Sequence, residues 1–281
     1  MKAIINMLVL SCFTLYGWGQ ELFVSTEPAS NMPSGSLGFR INTEMYFTKP
    51  VNQISYRLNP EIMFGISKNL MLHADLYGSN VYQSNIRFEG AALYGKYRFL
   101  SFDDVHTHFR VAAFGQISLI ANPEELEVGN RVYNSDEIDI DGSTSGFTGG
   151  VIATQLLHKL AISTSVSLVN RIDNLQNPKI PGQSDESINY SLSSGYLLFP
   201  KKYRDFQQTN INIYWEFLGA MSPDKKTYFL DAAPAVQFIV NSISRIDFSY
   251  RWQLYGNMQR LSENNFFLRL EYNLLNFFKN R

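Results

Sequence analysis

The chain has 281 residues, a formal net charge of −1, and only 17% charged against 45% hydrophobic and 14% aromatic residues. A charged share below the usual quarter or so, balanced in sign, argues against a nucleic-acid footprint. No apolar run reaches the length of a spanning helix, which excludes a helical membrane protein but not a transmembrane β-barrel, whose alternating strands average to ordinary hydropathy.

The chain opens on "MKAIINMLVLSCFTLYGWGQ": basic Lys2, an apolar core from Met7 to Tyr16, and the small residues Gly17 and Gly19. That is the pattern of a secretory signal peptide, residues 1–19, cleaved after Gly19. The single cysteine, Cys12, lies inside it, and "VLSC" fits a lipobox poorly, so the exported chain is expected without disulfides. Residues 20–34 read as a periplasmic N-terminal segment, and 35–281 as one barrel.

From residue 35 onward, period-two alternation recurs and no helical period is sustained. In "GSLGFRINTEMYF", Leu37, Phe39, Ile41, Met45 and Phe47 oppose Arg40, Asn42, Glu44 and Tyr46. Successive strand side chains point to opposite faces, so one face is apolar and the other polar. The hairpin "RLNPEIMFGISKNLMLHADLYG" follows. A turn centred on Lys68 predicts Met63 beside Met71, Glu61 beside His73, Asn59 beside Asp75 and Arg57 beside Tyr77, with Arg40 next to Glu61 and Glu44 next to Arg57. A thioether and imidazole set of Met63, Met71 and His73 with Glu61 would suit a soft metal. The plainer reading, a charge-neutralised ladder with the methionines as apolar filler, is preferred, and no cofactor is expected.

"IRFEGAALYGKYRFL", "THFRVAAFGQISLI" and the phase-ambiguous "SGFTGGVIATQLL" continue the series. His106 and His108 form an H-x-H pair without a visible third ligand, and His158 falls in a turn. The loop "DEIDIDGSTSG" sets Glu137, Asp139, Asp141 and Gly142 at calcium-loop spacing, yet Thr148 stands where the bidentate Glu belongs. It reads as an acidic extracellular loop that meets divalent cations at the outer leaflet. "KLAISTSVSLVN", "INYSLSSGYLLF", "TNINIYWEFLG" and "TYFLDAAPAVQFIV" lead to "SRIDFSYRWQLY", whose Phe248, Tyr250 and Trp252 oppose Arg245, Asp247 and Arg251. "NNFFLRLEYNLL", with Arg269 and Glu271 on its polar face, makes the twelfth segment. Connections alternate: "SK", "H" and "NSI" on one side, the two longest (121–144 and 171–187) on the other. Long alternating strands, aromatic strand ends, an even count and alternating turn lengths predict an all-β, antiparallel, up-and-down transmembrane barrel with short periplasmic turns and longer extracellular loops.

The stretches "TEPASNMP", "NPEIMFGISKNLMLH", "FEGAALYGKYRFLSFDDVHTHFRVAAFG", "GGVIATQLLHKLA", "INYSLSSGYLLFP" and "LDAAPAVQFIVNS" resemble a group of Gram-negative outer-membrane barrels, distantly similar to the transporters of the phenol-degradation meta-pathway. The resemblance spans almost the whole exported chain and carries no motif of assigned chemistry. It implies outer-membrane localisation and passage of small, aromatic or zwitterionic solutes. The expected partners are outer-membrane lipid and lipopolysaccharide, the barrel assembly machinery and a small solute, with no nucleic acid.

The expected function is therefore a narrow channel or transporter, with Arg40, Glu44, Arg57, Glu61, His73, Asp75, Arg245, Asp247, Arg251, Arg269 and Glu271 lining its lumen. The alternative is a closed structural or adhesive barrel whose long loops bind a partner. An enzyme is not expected, because no histidine stands in a serine-hydrolase context.

Overall fold

The computed structural model describes residues 23–48, 53–104, 107–128, 130–201, 207–224 and 226–278. The expected signal peptide, Cys12 and His106 lie outside them. Fourteen strands are described: β1 Leu37–Thr48, β2 Gln53–Gly65, β3 Leu70–Ser79, β4 Arg87–Asp103, β5 Thr107–Ile120, β6 Glu125–Val128, β7 Arg131–Asn134, β8 Gly146–Leu157, β9 Leu160–Arg171, β10 Glu186–Phe199, β11 Asn210–Ser222, β12 Thr227–Val240, β13 Ser244–Gly256 and β14 Asn264–Leu274. β6 and β7 pair only with each other; the other twelve strands pair antiparallel in chain order, β5 with β8 across that small hairpin, and β14 closes on β1, so twelve strands form one closed barrel. Closure leaves no free sheet edge, and every strand can satisfy its backbone inside an apolar medium.

The pleat turns the alternation of sequence into two surfaces. On β13, Phe248 and Tyr250 stand exposed outside while Arg245, Asp247 and Ser249 are buried within. The outward set of Ile41, Leu76, Leu93, Val151, Leu168, Leu192 and Leu270 forms an apolar belt around the middle of the wall. Tyr97, Tyr196 and Tyr272 ring the end that carries the short turns, and Tyr56 and Tyr255 the end that carries the loops. Two aromatic rims bounding an apolar belt suit the two interfaces of a bilayer. Phe248→Arg, at mid-strand, should therefore cost about 2–4 kcal/mol of barrel stability in lipid, whereas Asn189→Arg on the lumen side should cost far less. Urea unfolding in lipid vesicles checks this, and equal costs for both changes would reverse the assignment of faces.

Tight turns sit where the spacing placed them. His158 adopts a left-handed backbone (φ 57°) between β8 and β9, as do Asn241 (φ 53°) and Ser242 (φ 58°) between β12 and β13. Such φ values match the twist of hairpin strands. The β1–β2 register aligns Arg40 with Glu61 and Glu44 with Arg57, as expected. The β2–β3 register does not follow the expected pairing: Met63 aligns with His73, Glu61 with Asp75 and Gly65 with Met71. The bend is centred on Lys68, as expected, and a bend there pairs Met63 with His73; the expected pairs belong to a bend centred on Ser67, one residue earlier, so they are off by two. A shift of two preserves parity, so every one of these side chains keeps the face that alternation assigned it. A further departure is β6–β7, a small hairpin within the connection that reads from sequence as a loop.

Candidate functional site

Twelve strands enclose more room than their own side chains fill. Two segments enter this space, one from each end. The first is residues 23–34, the described part of the segment expected to be periplasmic, which runs inside the barrel. Its entry depends on Glu216 of β11, a fully buried carboxylate. Glu216 accepts hydrogen bonds from the Val24 and Ser25 amides (3.0 and 2.7 Å) and from the hydroxyls of Thr26 and Ser193 (2.8 and 3.0 Å). Arg245 and Arg269 donate to the Phe23 carbonyl. Further along, Lys96 of β4, also fully buried, donates to the carbonyls of Pro28 (2.6 Å) and Ser30 (2.9 Å). Glu27 meets Arg40 at 2.9 Å and Lys96 at 3.3 Å, Ala29 N–H donates to Thr154, and Arg110 donates to the Ser30 hydroxyl. The segment leaves over Gly65, where a Cβ would stand 2.2 Å from the Pro33 carbonyl oxygen.

The second segment is the connection from β5 to β8. Sequence placed its acidic stretch outside, facing divalent cations; the structure turns it inward, and the correction has a plain electrostatic cause. The carboxylates find guanidinium groups in the lumen. Asp139 accepts from Arg57 Nη1 at 2.9 Å, Ser143 accepts from Arg57 Nη2 at 2.7 Å, and Glu137 accepts from Arg260 Nε at 2.9 Å. Gly142 (φ 126°) lies so close to Arg57 that a Cβ would stand 2.7 Å from Nε. Ile138 and Ile140 pack on Val169, and the Glu124–Arg171 ion pair fastens the base of the loop to β9. Within the loop the two aspartates diverge. Burial pushes Asp139 up, but Arg57 and Ser143 outweigh it and hold the carboxyl below the usual range. Asp141, bonded by Gln116 Nε2 at 2.8 Å, is pushed up to about 6 by burial and by Asp139 beside it.

Between the two segments remains a cavity of about 480 Å³. Of the lumen candidates named from sequence, Arg40, Glu44, Arg57, Glu61, His73, Asp75, Arg251 and Arg269 border it. Arg245, Asp247 and Glu271 are equally inward but do not border it: they form a buried network, with Arg245–Asp247 at 2.8 Å and Arg40–Glu271 at 2.8 Å. Arg40 bridges Glu27, Glu61 and Glu271, so the wall and the N-terminal segment share one charge network. Charge-assisted bonds of this length are strong and directional. Arg57 does not pair with Glu44 as the register alone would have it. Its guanidinium goes to Asp139, Ser143, Tyr46 and Glu89, while Glu44 accepts from Tyr46 and Asn265. His73 Nδ1 lies 2.6 Å from Glu61, a diagonal contact across the shifted register. Met63 and Met71 cluster with Met32, whose amide meets the Met71 sulfur at 3.5 Å, so the thioethers serve the N-terminal segment.

Sequence reasoning passed over Glu216, Lys96, Glu89, Asp231 and Arg260. Strand phase puts Glu216, Lys96 and Asp231 on inner faces, whereas Glu89 has the opposite parity to Lys96 and is turned inward by the β3–β4 bulge beside Gly90; nothing local marks them as anchors, because their partners come from other segments. Arg260 sits in the β13–β14 loop, where phase has no meaning; it crosses the mouth to Glu137 and Asp231, with its guanidinium carbon 3.9 Å from the Phe229 ring centre.

No protein-family model matches the chain, and no curated protein matches it. Among solved structures, the fold is similar to an outer-membrane channel from Pseudomonas putida F1, at 10% identity over 90% of this chain and 100% of that one, with a TM-score of 0.54. The KdgM porin and the NanC porin resemble it more loosely, at 9% and 10% identity. They cover 84% and 85% of this chain and 98% and 100% of theirs, with TM-scores of 0.48 and 0.49. At such identities the likeness is one of fold.

Proposed function

We propose that this chain is an outer-membrane channel that takes up small solutes through a lumen narrowed by its own N-terminal segment and its β5–β8 loop. The observation that carries the reading is the cavity of about 480 Å³, walled by both signs of charge and by aromatic rings and bounded by both segments. That volume falls within the range of small-molecule sites. Fixed charges of both signs around a narrow passage set a transverse field, which suits dipolar or zwitterionic solutes, and the rings suit aromatic ones. The resemblance to the phenol-pathway transporters points the same way. The apolar belt with its aromatic rims supports an outer-membrane address, reached through the expected signal peptide and the barrel assembly machinery, with lipid and lipopolysaccharide around the wall.

The adhesive alternative loses its main element, since the longest loop is drawn into the barrel. The second long connection also packs back on the mouth: Leu175 N–H donates to the Ile120 carbonyl, and Asn174 donates to the Asn122 carbonyl. A carrier of solutes, rather than an enzyme, is the reading these features support. The test is single-channel recording and liposome swelling with the refolded protein. Small, ion-conducting unitary steps and swelling with small solutes are expected; a barrel that neither conducts nor swells, with or without residues 23–34, would exclude a channel.

A further inference from the structure

The lumen arginines are matched by carboxylates: Arg40 by Glu61 and Glu271, Arg57 by Asp139 and Glu89, Arg251 and Arg260 by Asp231. On the β3–β5 side of the cavity the balance fails. Asp75 is 9% exposed and makes no ion pair with a described residue; its hydrogen bond comes from Asn59 Nδ2 at 3.3 Å. Asp141, exposed on the loop, is bonded by Gln116 and likewise makes no ion pair with a described residue. Both carboxylates line the same cavity. A carboxylate withdrawn from bulk water without a counter-charge is costly, and the deficit is met when a cation binds.

Two further polar groups on this wall are unsatisfied. His73 Nε2 and the Tyr94 hydroxyl are buried without a hydrogen-bond partner, and both residues border the same cavity. His73 Nδ1 lies against the Glu61 carboxylate, so the tautomer that donates there presents Nε2 as an acceptor. Tyr94 stacks on Phe114 (ring centres 5.8 Å apart, 28° between planes) and lies 4.9 Å from the His73 ring. The register sets His73, Tyr94 and Gln116 in one row across β3, β4 and β5, with Asp75, Ala92 and Ser118 in the next. Small residues beside Asp75 leave its carboxylate clear, and the aromatic pair forms a shelf next to it.

We propose that this wall is a recognition subsite for a primary ammonium group carried on an aromatic body. Asp75 and Asp141 accept from the ammonium, His73 Nε2 accepts its third N–H, and the Tyr94–Phe114 shelf takes the ring. Aromatic faces add to the attraction of a cation held against them. The inference rests on the channel reading only for its biological use, since binding can be measured without transport.

The experiment is a calorimetric titration of the refolded full chain in detergent micelles with phenethylammonium chloride and, separately, with sodium phenylacetate. Saturable binding of one phenethylammonium per barrel is expected, with no detectable binding of phenylacetate. Asp75→Asn and Asp141→Asn, each nearly isosteric, should each weaken phenethylammonium by about tenfold or more while the folded barrel still migrates as a heat-modifiable band. Equal affinity for both probes, or full affinity retained in both variants, would overturn the subsite. Absence of phenethylammonium binding by a barrel that conducts overturns the subsite and leaves the channel standing. Selective binding by a barrel that never conducts does the reverse.

Discussion

Deleting residues 23–34 should raise the single-channel conductance of the refolded barrel severalfold without unfolding it. The strand ladder begins at Leu37, so the deletion removes no barrel pairing. What it removes is the contacts of Lys96 to Pro28 and Ser30 and part of those of Glu216 and Thr154, which keep Ser193 and Ser163 respectively; all three residues are fully buried. With the lumen half emptied, water reaches these groups, so their desolvation penalty falls along with their hydrogen bonds. Stability in urea should therefore change modestly while conductance changes greatly. Glu216→Gln offers a gentler version: it keeps the shape but weakens the anion to which two amides and two hydroxyls point, and should appear as flicker between closed and open levels. Unchanged conductance in the deletion would show that the ion path does not run through this half of the barrel.

Arg57→Ala should cost about 3–5 kcal/mol, the usual penalty for stranding buried carboxylates. Arg57 is 4% exposed and Glu89 fully buried, so the Glu89 charge cannot turn to bulk water once its guanidinium is gone; among the described residues, the Ser79 hydroxyl at 2.5 Å is the side-chain partner that remains to it. Asp139, which looks partly into the cavity, loses less. Adding Glu89→Gln to Arg57→Ala should restore part of the loss, whereas adding Glu44→Ala should restore little, because Glu44 bonds to Tyr46 and Asn265. The measurement is the urea midpoint of the folded barrel for each variant. The same Arg57→Ala change releases Asp139 and Ser143, so the β5–β8 loop should loosen and single-channel noise should rise. Rescue by Glu44→Ala equal to that by Glu89→Gln would restore the pairing that register alone suggests.

The faces of the barrel were legible from sequence because alternation is a local property. Whether Phe248 points out and Asp247 in depends on the pleat of one strand, and a register slip of two residues, as between β2 and β3, leaves that parity intact. The same parity named Arg40, Arg57, Glu61, His73 and Asp75 as inward residues, and the structure has them there. In the β2–β3 hairpin the bend sits at Lys68 as read from sequence, and the pairs expected there are two residues out because they correspond to a bend centred on Ser67.

By itself, then, the sequence determined a closed twelve-strand wall: period-two segments long enough to cross a bilayer, turns at alternate ends, and an apolar outer face with aromatic rims. Only the tertiary structure decided what occupies the space inside. Val24 and Glu216 are 192 residues apart, and Arg57 and Asp139 are 82 apart, so no window of the chain shows these partners together. Each acidic or basic residue on the polar face reads locally as one more charge in a wet lumen. Closing twelve strands creates a volume that wall side chains cannot fill, and that volume selects from the remaining chain the two segments whose amides, carbonyls and carboxylates satisfy the wall's buried charges.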